Sequence, residues 1–380
     1  MIPKLNYQSP EILDQEMRRL FMGGFQFAAL TTELANDRDF VVVEQHGCSI
    51  VVQNFKGELR AFQNVCSHRF NKIQTEERGN RPLTCRYHAW TYDRTGFPAG
   101  LPKRQQFLTG DDARDRELLC LTRYEVECCG KFVFVRMTPG PQTLREYLGP
   151  FWEVLEDMSR HLGAEIHFRS VQHAANWKLL VENVLECYHC STVHRETFVP
   201  WGVGRMPIQD VVLGHGHSSS HFPREPQKRE ELRLRYLSHM KDRSFSHSSF
   251  YHIFIFPNLF IASSEGLSFY VGHALPVGPE ATVLRMRNYE PAVELKPRHR
   301  TRQDQINAHD MSLAVNLIEE DRAILENVQR GLKVSDKPGI LGEEEVRIRN
   351  FHQHYLQSMS EGGATAALEP AAAGSAGAEA

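Results

Sequence analysis

The sequence predicts an α+β protein of two domains, an antiparallel β domain followed by helices packed on a second antiparallel sheet. Three observations carry this. The chain has 380 residues, more than one ordinary core organises. Its apolar spacing changes from helical to alternating near Phe40, and to mixed helix and strand beyond residue 142. Between these stretches Pro139-Gly140-Pro141 marks a break.

Residues 1–37 read as a helical lead-in, with apolar positions at helical spacing from 11 to 34. FVVVEQ, SIVVQN and LRAFQNV then alternate as strands do, the latter two joined by a turn around Lys56-Gly57. LTCRYHAWTYD continues the pattern, and CLTRYEVE pairs with KFVFVRM about Cys129-Gly130, so the first domain covers 38–138. The second covers 142–355. In it TLREYLGPFWEVLEDMSRHLG and NWKLLVENVLECYH read as helices, and a long helix spans roughly 303–332. HFRSVQHAANW, FYHIFIF, LFIASS, SFYVGHAL and TVLRMRNYEP supply its strands. Residues 203–249, polar and rich in Ser, His, Arg and Glu, read as a lid or disordered loop. The Ala/Gly-rich tail 361–380 reads as disordered.

Composition narrows the function. The chain is 41% hydrophobic and 24% charged with a net charge of −3, and no basic stripe suits nucleic acid or an anionic membrane. No apolar run is long enough to span a bilayer and no signal-peptide core opens the chain, so a cytoplasmic location is expected. Eight cysteines are too few for a disulfide scaffold; near histidines they point to metal or catalysis rather than cross-links. Cys48, Cys120, Cys128 and Cys129 sit in strand-like stretches and read as buried structural thiols.

Two constellations carry chemistry. The first is Cys66-Ser67-His68, sixteen intervening residues, then Cys85-Arg86-Tyr87-His88. Two thiolates and two imidazoles suit a [2Fe–2S] cluster whose potential falls at roughly −150 to +300 mV, well placed to accept electrons. Zinc is the competing reading, but zinc fingers pair Cys with Cys and His with His, whereas each half here is mixed. The second is Glu186, His189 and His194, spaced E-x₂-H-x₄-H. On a helix Glu186 and His189 share a face. Two histidines and a carboxylate from another element would hold mononuclear Fe(II) with open positions for O₂ and substrate. NLIEEDRAILENVQRGL offers Glu319, Glu320 and Asp321. Singly, such residues are usually structural or solvated; their joint occurrence behind the Cys–His pattern reverses that weighting.

The chain resembles the Rieske non-haem iron ring-hydroxylating oxygenases, in their catalytic (alpha) subunit, over roughly residues 15–355. Arg69, Tyr87, His88 and Trp90 match the pattern C-x-H-R…C-P-Y-H-G-W. Arg86, Ala89 and Phe70 depart from it without removing a ligand. The resemblance implies a Rieske domain followed by a START-like catalytic domain. It singles out Asp321 as the third iron ligand, ahead of Glu319 and Glu320. It also implies that Glu186 is a bridge between the neighbouring subunit's Rieske histidine and an iron histidine, where most relatives carry aspartate. Asn183, Glu186, Cys187, Tyr188, His189 and Cys190 are similar to the branch that oxidises carnitine and glycine betaine. The family further implies a homotrimer, electrons from NAD(P)H through a ferredoxin or flavin reductase, and a small-molecule substrate oxidised by O₂.

Hydroxylation, oxidative demethylation and aromatic dioxygenation all stay open on this reading. A Rieske electron carrier without mononuclear iron is the alternative of another class, and the length of the chain argues against it. Phe250, Phe254, Phe256 and Phe260 read as core, while Tyr188 with Phe269 or Tyr270 are candidates for a cation-binding cage. His215, His217 and His221 read as part of the mobile loop rather than a third metal site.

Overall fold

Alternation of side chains sorts the first sheet into two cores. Val41, Val43, Ile50 and Val52 pack one way with Val133 and Val135, while Phe40, Val42, Val51 and Phe62 pack the other way around Cys66, Cys85, Trp90 and Tyr92. The computed structural model describes residues 1–237 and 249–360. Its first sheet holds β1 (Gln26–Leu30), β2 (Asp39–Gln45), β3 (Cys48–Phe55), β4 (Glu58–Gln63), β5 (Arg78–Asn80), β6 (Arg123–Cys129) and β7 (Phe132–Arg136). The spatial order is β1-β7-β6-β4-β3-β2-β5, with antiparallel neighbours throughout. Lys56 and Gly57 both take positive φ, the tight hairpin geometry that matches strand twist, so the expected turn forms there.

Two expectations fail in this half. The lead-in is not continuously helical: its helices end at Phe21, Gln26–Leu30 is instead a fully buried edge strand of the first sheet, and only the 3₁₀ turn Thr31–Leu34 follows. QFAAL is apolar on both faces, and a short run of that kind has no period that separates strand from helix. LTCRYHAWTYD forms no strand among the described residues, only the bridges Thr84↔Thr91 and Thr91↔Gly100. Its backbone turns back at once, Ala89 N–H donating to Cys85 O and Cys85 N–H to Trp90 O.

The second sheet holds β8 (Leu162–His173), β9 (Gln209–Gly214), β10 (His217–Pro223), β11 (Ser249–Ile255), β12 (Leu259–Ser264), β13 (Phe269–Gly278) and β14 (Ala281–Pro291). It is antiparallel in the order β8-β14-β13-β12-β11-β10-β9. Phe254, Phe256 and Phe260 lie in the apolar core beneath the helices, as expected, whereas Phe250 is half-buried and lines a cavity instead. The stretch 203–249 is not one loop. It supplies β9, β10 and a helix over Pro226–Leu237, while 238–248 and the tail 361–380 lie outside the described residues. Its polarity misleads because Ser218 and Ser220 are buried against the guanidinium of Arg347, which donates to both hydroxyls at 3.0 and 2.8 Å. His217 and His221 therefore stand in a strand, and His215 in the turn before it.

The helices Trp177–Val184 and Pro297–Val334 cover the sheet, the latter longer at both ends than expected. Lys178 and Glu16 are wholly buried and paired at 2.6 Å, and Trp177 Nε1 also donates to Glu16 at 2.8 Å. That buried pair fixes the helix Trp177–Val184 to the N-terminal segment. Arg285 donates to Val42 O at 2.6 Å, and Arg287 meets Glu33 at 3.1 Å, so the two sheets are keyed to each other. No helix of the described residues is long and apolar enough to cross a membrane.

Candidate metal centres

Two loops with the same backbone course carry the first donor set. Phe70 N–H donates to Cys66 O at 3.0 Å and Ala89 N–H to Cys85 O at 2.9 Å. Four residues after each cysteine the chain passes through positive φ, 59° at both Phe70 and Ala89. Glycine takes that geometry freely, so Ala89 holds it at a steric cost that glycine would not bear. Both cysteines are buried, and Tyr92 Oη lies 3.0 Å from Cys66 Sγ. Burial pushes the Cys66 thiol upward, against the hydrogen bond from Tyr92.

The imidazoles stand at the rim. His68 Nδ1 and His88 Nδ1 face each other at 3.1 Å, and His68 stacks on Trp90 at 4.7 Å. Burial and the nearby His88 and Arg69 lower the His68 pKa, favouring the neutral ring a metal requires. Two nitrogens aimed at one point over two buried sulfurs fit a [2Fe–2S] cluster with its imidazole side outward. Around that rim Phe70 and Tyr87 are exposed.

The second donor set lies where a helix stops. The sequence reading continues the helix through His189; the structure ends it at Val184, because the Glu186 carboxylate accepts from the N–H groups of Tyr188 and His189. A short helix, Cys190–Val193, follows, and His194 N–H donates to Cys190 O at 3.0 Å. Glu186 Oε1 also engages His189 Nδ1. On the far side Glu320 Oε2 lies 2.7 Å from both His194 Nδ1 and Thr197 Oγ1. Each histidine thus has a carboxylate on Nδ1, leaving both Nε2 atoms turned inward.

Asp321 completes the set. Its Oδ1 lies 3.2 Å from His194 Nε2 and 3.7 Å from His189 Nε2. That oxygen is buried and receives no well-aligned donor among the described residues, so its lone pairs are left for a group the described residues do not supply. Glu319 turns away to Arg169 and Arg322. Ala314, Leu317, Ile318 and Leu325 share the cavity-facing stripe with Asp321, so helical period alone distinguishes it from its two acidic neighbours. Burial lowers the His194 pKa, but Asp321 and Glu320 outweigh it and the net shift is upward.

Above these groups is a cavity of about 200 Å³. Phe198, Trp201, Phe250, Phe260, Phe269 and Tyr270 line it, with the Asp310 carboxylate on the long helix. Tyr188 does not: it is 82% exposed on the outer surface, because its N–H, not its ring, faces the Glu186 turn. Arg224, also in the lining, is held by Glu265 at 2.9 Å. Sequence reasoning missed Phe198, Trp201 and Thr197, which have no periodic signature in their turn-rich segment. It also expected no cross-link, whereas Cys187 and Cys190 are disulfide-bonded with Cα atoms 4.9 Å apart. The spacing C-x-x-C across a tight turn brings the two Cβ atoms together.

One domain thus offers a thiolate–imidazole set and the other a histidine–carboxylate set beneath an aromatic cavity, the plan of a two-centre iron oxygenase. Residues 155–361 match the family described as ring hydroxylating alpha subunit (catalytic domain), and residues 24–125 match the Rieske [2Fe-2S] domain. The chain belongs to the ring-hydroxylating alpha-subunit family. The glycine betaine monooxygenase oxygenase subunit of Chromohalobacter salexigens is 32% identical over 206 residues, 51% of this chain and 43% of that protein. The match thus spans less than half the length of that relative. The carnitine monooxygenase oxygenase subunit of Acinetobacter pittii is 28% identical across 87% of this chain and 85% of its own. In fold, the chain is similar to the quaternary ammonium Rieske monooxygenase CntA crystallised with L-carnitine, at TM-score 0.74 and 23% identity over 94% and 95% of the two chains.

Proposed function

We propose that this chain is the oxygenase component of a Rieske monooxygenase that hydroxylates or oxidatively demethylates a small quaternary ammonium compound. The observation that carries the reading is Asp321 Oδ1, buried and facing two histidine Nε2 atoms beneath an aromatic cavity. His189, His194 and Asp321 would hold the mononuclear iron; Cys66, Cys85, His68 and His88 would hold the cluster. Bound there, these groups store electrons and activate O₂ reductively.

The chain's own residues do the rest. Glu186 and Glu320 fix the tautomers of His189 and His194. Phe198, Phe250, Phe269 and Tyr270 line the cavity, and aromatic rings there would attract a methylated ammonium. With Arg224 neutralised by Glu265, the lining favours a cation over an aromatic acid. Such a substrate would sit with a methyl or methylene group toward His189, His194 and Asp321, and the apolar lining excludes stray water.

Exposed Phe70 and Tyr87 beside His68 and His88, and exposed Tyr188 beside Glu186, give two faces suited to meet across a subunit boundary. We place them in a head-to-tail homotrimer, in which Glu186 links one subunit's cluster to its neighbour's iron. Inter-subunit electron transfer is described for a quaternary ammonium Rieske monooxygenase of this fold. A ferredoxin or flavin reductase fed by NAD(P)H supplies the electrons in the cytoplasm. The test is O₂ uptake with a surrogate reductase across quaternary ammonium compounds, aromatic acids and methyl ethers. Uptake stimulated by the first class, with formaldehyde release from N-methyl groups and loss in His189→Ala, is expected. Stimulation by aromatic acids alone overturns the substrate reading.

A further inference from the structure

The Cys187–Cys190 bond brackets His189 and follows directly on Glu186, so it sits in the turn that aims the metal pocket. Both cysteines line the cavity. Cys190 is buried, and its Sγ lies with one nitrogen each of His189 and His194 in a group whose atoms are all within 4.8 Å of one another. A side chain at Gly204 would stand 2.5 Å from Cys190 Cβ, so the neighbouring backbone is seated directly against this cysteine and holds it there. A disulfide sulfur is a weak metal ligand, whereas a thiolate is a strong one.

We propose that the Cys187–Cys190 disulfide is a redox gate on the mononuclear metal site, keeping Cys190 Sγ out of the coordination sphere while it is closed. The inference rests on the reading of His189, His194 and Asp321 as metal ligands. Opening requires a dithiol reductant. Its two thiols give two electrons and two protons to the bond, Cys187 and Cys190 become thiols, and the reductant leaves as its own disulfide. With the metal bound, the freed Cys190 thiol would lose its proton to solvent and offer a thiolate to it, taking up a position that O₂ and substrate need. A small-molecule disulfide oxidant reverses this: it takes the two electrons and two protons as Cys187 and Cys190 rejoin, leaves as its own dithiol, and the three-ligand site is restored. In a reducing cytoplasm the enzyme is thus held off at rest, and oxidation of this pair switches turnover on.

Cobalt loaded at the mononuclear site, with the iron–sulfur cluster in place, gives a clean readout, because absorption at the cobalt edge sees that centre alone. Alkylation followed by mass spectrometry reports the thiol state of 187 and 190 in parallel. With the disulfide closed, only nitrogen and oxygen neighbours are expected. After dithiothreitol, a sulfur neighbour near ~2.3 Å should appear, and substrate-dependent O₂ uptake of the iron form should be lost until reoxidation. Cys187→Ser should show the sulfur neighbour without reductant, and Cys190→Ser should never show it. Free thiols at both positions with a cobalt shell of nitrogen and oxygen only would overturn the gate while leaving the metal reading intact. Cobalt binding unaffected by His189→Ala would overturn the metal reading itself.

Discussion

Glu186 and Glu320 do the same physical work from opposite sides of one pocket, each holding the Nδ1 edge of a histidine so that Nε2 points inward. Removing such a support costs about 10- to 100-fold in metal affinity or activity. Glu320→Ala should therefore weaken iron retention by about that factor with the cluster spectrum unchanged, measured by metal competition. Glu186→Gln should behave differently. The amide still occupies the turn, so both metals should stay, but electron passage from the neighbouring cluster should slow. Single-turnover oxidation of the cluster at the wild-type rate would contradict that role. At this scale the grouping was legible: spacing and resemblance named the cysteines, histidines and Asp321, and the fold brings each set together. The roles of Glu320 and Thr197 were not, because their partners are more than a hundred residues away in sequence.

Among the elements, the two cluster loops carry a conformational cost. A non-glycine residue in the left-handed region costs about 1–2 kcal/mol, and both Phe70 and Ala89 sit there. Ala89→Gly should raise the melting temperature by about a degree at most, the relieved strain of about 1 kcal/mol being offset in part by the chain entropy glycine adds, with the visible spectrum of the cluster retained. A lower melting temperature would show that the Ala89 methyl makes contacts worth more than the strain. Hairpins and long helices were legible because Lys56-Gly57 and the apolar stripe of the long helix state their period outright. The buried strand His217–Pro223 was not, since its serines are satisfied by Arg347, a residue on a distant helix. The end of the helix at Val184 was equally hidden, because a side chain further along the turn, Glu186, competes for the backbone N–H groups.

Across the whole molecule, buried neutral histidines set the acid limit. His217 Nδ1 accepts from Phe256 N–H at 2.9 Å and its Nε2 faces Tyr147 O at 2.8 Å, an arrangement open only to the neutral ring. Burial pushes its pKa down to about 3, and that of His354 to about 4. Unfolded, both titrate near 6.5, so the unfolded chain takes up their protons first as pH falls. Their contribution is whole above about pH 6.5 and is lost below it, by about 1.4 kcal/mol per pH unit for His217. The melting temperature should fall between about pH 7 and pH 5, and more shallowly in His217→Gln; equal slopes would remove His217 as the cause. The order of the two domains was legible from the change in apolar period. Their mutual placement was not, because it rests on pairs such as Arg287–Glu33 that no local pattern announces.

That one chain holds two kinds of iron is most directly tested by quantifying iron and labile sulfide in purified, fully loaded protein beside Asp321→Ala. The account predicts about three irons to two sulfides in the parent chain and about two to two in the variant, with the cluster spectrum shared by both. A ratio near two to two in active parent protein, or a variant that keeps the third iron, would contradict it.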